Sequence, residues 1–477
     1  MKKGVAVLLF LILFALFSFK LVGSYNFDSD FGRDLMWMYD IAYGRFTLLG
    51  PKLSFGGYYL GPYYYYIFVP FLALTKFLPP GVLLANAAFF AFFLTLSYII
   101  LSKRFGVVKS MLSVFFLALL PFFLYSARSP GNAFSYLSFF LPLIFLLLFK
   151  PEVVKNSYAV FIIGFIGGII LNFHPVSLLY FLPFLILHFI YFKDLWTRSR
   201  VLFFTAGLAF SFAPILLFEI RHGFVMFKNT FIVKSYKTFT DSTNPASIVQ
   251  PSKNPFLNIF VINKLSDIWL VFPILWIAVL NLIIFLFAKK SREARVVFFS
   301  FIFSYFLYAV LLRFQTAVHY LFPLYLAGAV SLVVLILNIQ NKRVVYLLLA
   351  VVISAEIFKF PKSFYSSARR QFGRMFESVK VLQRNLPENS FNIVVIRETP
   401  LAILGYEYRY MLRLLGYKSD DEFSYQSSRY LLVVSELGDV NLDDYKSWEL
   451  DSFGEKELID ILRMGSYTFY LYKKSGL

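Results

Sequence analysis

The feature that most constrains the fold is a series of apolar stretches, each roughly 18 residues or longer, that recurs through the first 360 residues. A helix of that length crosses the ~30 Å hydrocarbon core of a bilayer and satisfies its own backbone hydrogen bonds there. The stretches begin near residues 5, 81, 110, 133, 157, 175, 201, 268, 296, 320 and 344. Only 15% of the residues are charged, against about 25% in soluble proteins. The sequence therefore predicts a polytopic α-helical membrane protein with about eleven transmembrane helices.

The cysteine and histidine content excludes several kinds of site. The chain has no cysteine, which rules out disulfides, iron–sulfur clusters, thiolate metal sites and a cysteine nucleophile. Its four histidines stand at positions 174, 188, 222 and 319. So few histidines, so widely spaced, argue against a histidine-rich metal centre.

The distribution of charge indicates the membrane as the partner of the basic residues, and not nucleic acid. Residues 1–360 hold 30 Lys/Arg and 11 Asp/Glu, whereas residues 361–477 hold 16 of each, so the net charge of +19 lies in the apolar part. We interpret residues 61–78, with Pro62, Pro70 and four consecutive tyrosines, as an interfacial or re-entrant helix. Every second short loop then falls inside, and these loops with Lys2 and Lys3 carry 16 basic and three acidic residues. This predicts a cytoplasmic N-terminus, with 24–80, 221–266 and the tail outside.

The composition divides the chain near residue 360. Residues 1–360 are predicted to form the transmembrane catalytic domain, with 24–80 as a first outer loop carrying juxtamembrane helices and 221–266 as another outer loop. Residues 361–477 have an ordinary charge content, and we predict a small soluble α/β domain outside the membrane. Its predicted elements are helices at 364–385 and 400–415 and strands at 391–396, 429–435 and 466–472. The proline-rich segment 242–255 is predicted to be a mobile loop.

A cluster of aspartates follows the first apolar stretch. Asp28, Asp30, Asp34 and Asp40 are four of the eleven acids in the first 360 residues. From Asp30 onward the apolar residues recur at helical spacing, so this helix should lie flat on the membrane, with Asp30 ionised near its positive end. A helix N-cap with solvated charges is the simpler interpretation. Asp28 and Asp30 also form an Asp-x-Asp pair that suits a divalent cation, although no cofactor is required by the sequence.

Several outer segments together resemble a known family. They are Asp30-x-x-Arg33-Asp34, Gly50-Pro51 with Gly56 to Tyr66, Tyr125 to Arg128 with Asn132, Asn172 to His174, Phe218 to Phe224, and His319 to Tyr325. Because these segments occur in this order, the chain is similar to the C-type glycosyltransferases (GT-C). The similarity is specifically to glycosyltransferase family 39, the branch of protein O-mannosyltransferases and aminoarabinose transferases. The resemblance implies a polyprenyl-phosphate sugar as donor, inverting transfer on the outer leaflet, and an aspartate of the first outer loop as base. Phe31 stands where many relatives carry an acidic residue.

The predicted roles combine this resemblance with the chemistry of the reaction. An acceptor hydroxyl needs a carboxylate to take its proton, and Asp30 is the candidate base, with Asp34 as its reserve or orienting partner. A departing lipid phosphate needs cations and N–H donors. The candidates are Arg128, His174, Arg221, His222 and His319. The alternative to a phosphate contact for Arg128 and Arg221 is that their side chains snorkel to the membrane interface. The alternative for His174 and His319 is that each makes a buried structural hydrogen bond. Tyr58, Tyr59 and Tyr63 are candidates for sugar or acceptor contact, or members of an interfacial tyrosine belt.

Two functions from different classes remain open at this point. The first is an enzyme, a glycosyltransferase that moves a sugar from a polyprenyl-phosphate donor to a lipid, glycan or protein acceptor. A sugar-lipid polymerase or ligase differs from it mainly in the acceptor. The second is a transporter or flippase of a lipid-linked or anionic substrate, which usually has inverted repeats and ionisable groups near the midplane. Here the polar residues gather at one face, with Glu356 as the main exception, which favours the enzyme.

Overall fold

The computed structural model describes residues 2–53, 57–233, 262, 264, 266–267, 269–270, 272–311, 318–384, 386–387, 390–398 and 404–475. The predicted loop at 242–255 lies outside the described residues. Most of the second predicted outer loop, 221–266, also lies outside them.

Helices make up the apolar region. Those before the second outer loop are Lys2–Ser18 (α1), Leu21–Ser24 (α2), Ser29–Ala42 (α3), Tyr63–Leu74 (α4), Pro80–Phe105 (α5), Val107–Leu119 (α6), Pro121–Arg128 (α7), Asn132–Phe149 (α8), Pro151–Val154 (α9), Ser157–Phe173 (α10), Leu178–Tyr191 (α11), Arg198–Ser211 (α12), Ala213–Arg221 (α13) and Val225–Lys228 (α14). Those after it are Ile274–Phe287 (α15), Arg292–Leu311 (α16), Phe322–Leu337 (α17) and Lys342–Phe358 (α18). A described helix therefore lies at or close to each predicted start.

Length and composition identify the membrane spans within the described part of the chain. Five helices there are long and apolar enough to cross a bilayer, and the number is seven if each of two bent pairs, α6–α7 and α12–α13, forms one span. The pairs bend by 72° and 54°, and each second helix begins with proline at its first or second residue. Four shorter apolar helices accompany them, including α4 and α10. The prediction of a polytopic helical membrane protein is confirmed.

Small residues bring two of these helices close together. A Cβ atom at Gly164 of α10 would lie 2.1 Å from the carbonyl oxygen of Phe204, and one at Gly207 of α12 would lie 2.0 Å from that of Phe161. One turn further, Gly168 faces Ser211. Lipid supplies no hydrophobic force between helices, so close backbone contact at small residues stabilises such pairs.

Ion pairs and hydrogen bonds join the loops that the charge pattern predicts to be cytoplasmic. Arg104 contacts Glu293 at 2.8 Å, and Arg292 contacts Asp194 at 2.8 Å. The amide of Lys289 donates to the carbonyl of Asn338 at 3.0 Å. The loops near residues 104, 194, 292 and 338 therefore meet at one end of the helices, and their cytoplasmic location stays a prediction.

The carboxyl-terminal region contains a four-stranded sheet. Its strands are Phe391–Ile396 (β1), Tyr430–Ser435 (β2), Lys456–Met464 (β3) and Tyr467–Lys474 (β4), and its helices are Phe372–Lys380 (α19), Tyr406–Leu414 (α20) and Trp448–Phe453 (α21). The spatial order is β1-β2-β4-β3, with β1 and β2 parallel and the other pairs antiparallel. Val394, Leu431, Val433, Phe453 and Tyr470 form much of a core on one face. The predicted small α/β region is confirmed, although β3 and α21 were not predicted.

The chain forms two compact units. The first comprises residues 1–21, 46–68 and 82–365, and the second comprises 22–45, 69–81 and 366–477. The second unit thus includes α3, which the sequence-based division assigned to the transmembrane domain. The physical reason is that α3 packs on α20.

Candidate functional site

The aspartates of the first outer segment lie on and beside α3, in the second unit. Asp28 is the N-cap of α3, and its carboxylate accepts a hydrogen bond from the Phe31 amide at 2.8 Å. Asp30 follows in the first turn, and its side chain is 84% exposed. Asp34, one turn later, is only 4% exposed. The capping role considered for this cluster therefore falls to Asp28, and Asp30 presents its carboxylate to the surroundings.

Arg33 links the two carboxylates that the sequence singles out. Its Nη1 donates to Asp30 at 2.9 Å, while its Nη2 and Nε donate to Asp34 at 3.0 and 3.2 Å. Phe31, the residue that departs from the family pattern, is buried against the rings of Tyr25 and Phe27. The packing of Phe31 thus fixes the apolar side of α3. The Arg33 guanidinium fixes the positions of the exposed Asp30 carboxylate and the buried Asp34 carboxylate relative to each other.

The Asp-x-Asp pair was considered as a divalent-cation site. Among the described residues, no group of three or more His, Asp or Glu side chains is placed to hold a metal ion. One carboxylate oxygen of Asp28 is already used by the Phe31 amide. A cation held by Asp28 and Asp30 would therefore need ligands from a substrate or from water.

His174 and His319, 145 positions apart in the sequence, meet in the first unit. Their ring centroids are 6.1 Å apart, and both rings contact Tyr320, at 5.1 and 4.3 Å. His174 directly follows α10 as its C-cap and is 4% exposed, and its Nδ1 accepts a hydrogen bond from the Val176 amide at 3.3 Å. A neutral ring with Nδ1 as acceptor carries its proton on Nε2, so His174 provides an N–H donor.

Arg128 is buried in the first unit and donates to three carbonyl groups. It ends α7, and the carbonyls of Ser126 and Ala127 beside it accept hydrogen bonds from Asn86 at 2.9 and 3.0 Å. The guanidinium donates to the carbonyls of Phe17, Phe19 and Phe364 at 2.8, 3.0 and 3.1 Å. It also lies 4.1 Å from the ring of Tyr365. The structure therefore gives Arg128 protein acceptors, and its contact with a donor phosphate stays a prediction.

Arg221 and His222 lie at the exposed end of α13. Arg221 is its last residue, and both side chains are exposed. The His222 ring stacks on Phe218 at 4.1 Å, and its Nδ1 lies 2.9 Å from the Phe218 carbonyl. Glu219, the residue after Phe218, is buried, and its carboxylate accepts hydrogen bonds from the amides of Met226 and Phe227 at 3.0 and 2.9 Å. The end of α13 is therefore fixed by Glu219, while the side chains of Arg221 and His222 stay exposed.

The three candidate tyrosines have different surroundings. Tyr59 pairs with Lys52 in a short antiparallel bridge. Tyr63 donates to the carbonyl of Ser211 at 2.8 Å, which joins α4 to α12. Tyr58 lies near Glu219, and burial together with this carboxylate raises the pKa of Tyr58. Its phenol therefore stays protonated and can donate a hydrogen bond.

Phe134, which the sequence analysis missed, contacts the histidine pair and belongs to an aromatic cluster. Phe134 contacts His319 at 5.6 Å and Tyr125 at 5.3 Å, and Trp269 contacts Tyr125 at 4.9 Å. Asn132 donates to the carbonyl of Phe173, directly before His174, at 3.1 Å. The chain has 62 phenylalanines, so nothing local distinguished Phe134 from ordinary packing residues. Asn132, the polar first residue of the same helix, was the nearest residue in the sequence that could have indicated a site here.

Two solved structures share the fold of this chain over nearly its whole length. The crystal structure of ArnT from Cupriavidus metallidurans bound to undecaprenyl phosphate has a TM-score of 0.62 and 12% identity, covering 98% of this chain and 97% of that one. The same protein in the apo state gives 0.61 and 11%, covering 98% of each chain. No family model and no curated protein matches the sequence. The GT-C-like fold implied by the sequence motifs is therefore confirmed.

Proposed function

We propose that this protein is a membrane glycosyltransferase that moves a sugar from a polyprenyl-phosphate donor to an acceptor hydroxyl on the outer face of the membrane. The observation that carries the proposal is the fold shared with ArnT over 98% of the chain, in a relative whose structure contains undecaprenyl phosphate. The order of the outer motifs, from Asp30-x-x-Arg33-Asp34 to His319-Tyr320, supports it independently. The acceptor class is a lipid, glycan or protein.

Asp30 is the proposed general base of an inverting transfer. The acceptor oxygen attacks the sugar carbon as its proton passes to the Asp30 carboxylate, and the bond to the lipid phosphate breaks with its electron pair on the phosphate oxygen. The 84% exposure of Asp30 leaves its carboxylate open to a substrate. Arg33 orients the Asp30 carboxylate through its contact at 2.9 Å, and buried Asp34 fixes Arg33. Asp34 is therefore the proposed orienting partner.

The proposed donor-phosphate contacts are the N–H groups of His174 and His319, with the exposed side chains of Arg221 and His222 as further contacts. The paired rings and the Nε2 proton of His174 support the first two. A phosphate leaving group is already stable as an anion, so donors that stabilise its charge suffice. Tyr58 and Tyr63 are proposed sugar or acceptor contacts.

A donor-cleavage assay tests the enzyme against the transporter. The protein is reconstituted in nanodiscs with a panel of undecaprenyl-phosphate sugars, including mannose and aminoarabinose, each radiolabelled in the sugar. Membranes of the expression host supply acceptors. We expect labelled sugar to leave the lipid and undecaprenyl phosphate to accumulate. In proteoliposomes, donor crossing the bilayer uncleaved would instead identify a flippase, and intact donor throughout the panel would contradict the proposal.

Replacing the paired histidines should weaken binding of the lipid phosphate. We expect His174→Ala and His319→Ala each to lower the affinity for undecaprenyl phosphate about tenfold or more, because a hydrogen bond to a charged group contributes about 1.5–3 kcal/mol. Binding is measured by microscale thermophoresis in detergent. His188→Ala is the control, since His188 is buried between the Leu147 carbonyl and Trp196. Unchanged affinity in both site variants would remove the pair from the donor site.

Single cysteines can test the proposed orientation, because the natural chain has none. Ser466 lies exposed in the turn between β3 and β4, and Gln340 lies exposed between α17 and α18. With a cytoplasmic N-terminus and the carboxyl-terminal unit outside, Ser466→Cys should react with an impermeant maleimide in intact cells. Gln340→Cys should react only after the membrane is permeabilised. The opposite labelling pattern would reverse the topology.

A further inference from the structure

Helix α3 packs against helix α20 within the second unit, at the level of the two candidate carboxylates. Gly32 lies between Asp30 and Asp34 and touches the start of α20. A Cβ atom at this position would lie 2.6 Å from both Cα and N of Glu407 and 2.8 Å from the carbonyl carbon of Tyr406. All three are backbone atoms, which a rotamer change cannot move. Only glycine allows this approach.

The same two helices are joined again about two turns further along. Arg413 of α20 forms an ion pair with Asp40 of α3, and its guanidinium lies 5.3 Å from the ring of Tyr39. The Tyr410 hydroxyl donates to the carbonyl of Phe77, whose ring contacts Tyr39 at 4.8 Å. The helices therefore run side by side over roughly 12 Å of α3.

The start of α3 is also held by the carboxyl-terminal region. The Phe27 amide donates to the Arg370 carbonyl at 2.8 Å, and the Arg370 amide donates to Asn26 Oδ1 at 3.3 Å. The Arg370 side chain forms an ion pair with Glu407, whose side chain is fully buried. Arg397 forms a second ion pair with Glu407, at 2.9 Å. Glu407, whose backbone Gly32 touches, is thus held through its side chain by two arginines.

We propose that α20 positions α3 for catalysis, with Gly32 and the Asp40–Arg413 ion pair as positioning residues that act through Asp30 and Asp34. The inference rests on the proposed glycosyltransferase function and gives the carboxyl-terminal region a defined task in it. A general base works only when it is held in productive geometry, and a displacement of about 1 Å can cost 10²-fold in rate. Three sets of contacts along one short helix provide that constraint.

The first test compares two glycine substitutions in the same unit. Gly32→Ala forces α3 away from Glu407, whereas Gly373→Ala, in α19, places its methyl group where no atom lies within 4 Å. We expect Gly32→Ala to lower donor turnover at least tenfold while binding of undecaprenyl phosphate changes less than twofold. Gly373→Ala should retain wild-type turnover. A loss confined to kcat is the signature of misplaced catalytic groups.

A double-mutant cycle separates positioning from general damage to the fold. If Gly32 acts through Asp30, adding Gly32→Ala to Asp30→Asn should lower the residual turnover less than twofold. If Gly32→Ala merely reduces the folded fraction, the two losses should multiply. Wild-type turnover in Asp30→Asn alone would refute the proposed base without bearing on the packing of α3.

The ion pair supplies a second route if Gly32→Ala does not fold. Asp40→Arg and Arg413→Asp should each lower turnover, and the double variant should recover a substantial part of it. Both side chains are partly exposed, at 25% and 20%, so each single variant is expected to fold. The proposal is overturned if Asp30→Asn is inactive while the Gly32 and ion-pair variants that fold all keep wild-type turnover.

Discussion

Replacing Asp30 by asparagine is expected to lower turnover of the undecaprenyl-phosphate sugar by about 10²-fold or more, the usual contribution of a positioned general base. Asparagine keeps the shape of aspartate but cannot accept the hydroxyl proton. The measurement is single-turnover release of labelled sugar in nanodiscs, so that binding and chemistry are separated. Binding of undecaprenyl phosphate should stay within a few-fold of wild type.

The structure indicates that Asp30→Asn should remove the base without disturbing the fold, and Asp34→Asn is the matched comparison. The Asp30 side chain is 84% exposed, and Arg33 remains paired with Asp34 after the change, so stability should be nearly unaltered. Asp34→Asn removes a carboxylate that is 4% exposed, and should cost about 1–3 kcal/mol of stability together with a smaller loss of turnover. If Asp30→Asn turned over like wild type, or if Asp34→Asn proved the more damaging to chemistry, the two roles would have to be reassigned.

The regular elements could be predicted where a single physical pattern dominates. A long apolar stretch has few alternatives to a helix in a membrane, and α5, α8 and α10 begin within one residue of their predicted starts. Strand β1, buried along its whole length, was predicted with its observed bounds. Strand β3 was missed because it is an edge strand, largely exposed, in which Lys456, Glu457, Asp460 and Arg463 interrupt the apolar pattern.

The candidate site was predictable in its residue types but not in its arrangement. Acids, histidines and arginines at the ends of apolar stretches can be recognised from the chain alone, and His174 and His319 lie close together. Nothing local indicates that Glu407 packs on Gly32, because this contact joins positions 375 residues apart in sequence. Nor does the sequence distinguish an arginine that binds a phosphate from one that binds carbonyl groups. Arg128 illustrates that ambiguity most directly.

Replacing Arg128 by alanine is expected to lower the free energy of unfolding by about 1–3 kcal/mol, the cost of leaving buried hydrogen-bond acceptors without a donor. Its guanidinium donates to the carbonyls of Phe17, Phe19 and Phe364, which join the end of α1 to the segment after α18. Alanine would leave these acceptors without that donor and open a cavity against Tyr365. Denaturant titration in mixed micelles measures the loss.

Two further variants decide what Arg128 does. Arg128→Lys keeps the charge but cannot present a planar fork to three carbonyls, so its stability should fall between wild type and Arg128→Ala. Arg221→Ala removes an exposed arginine from a helix end and should leave stability unchanged. Undecaprenyl phosphate binding is measured on the folded fraction of each. If Arg128→Ala kept wild-type stability and lost lipid binding, Arg128 would be a phosphate contact, as the family-like motif around it implies. If stability falls and the folded fraction still binds the lipid, its charge serves to hold the first helix in place.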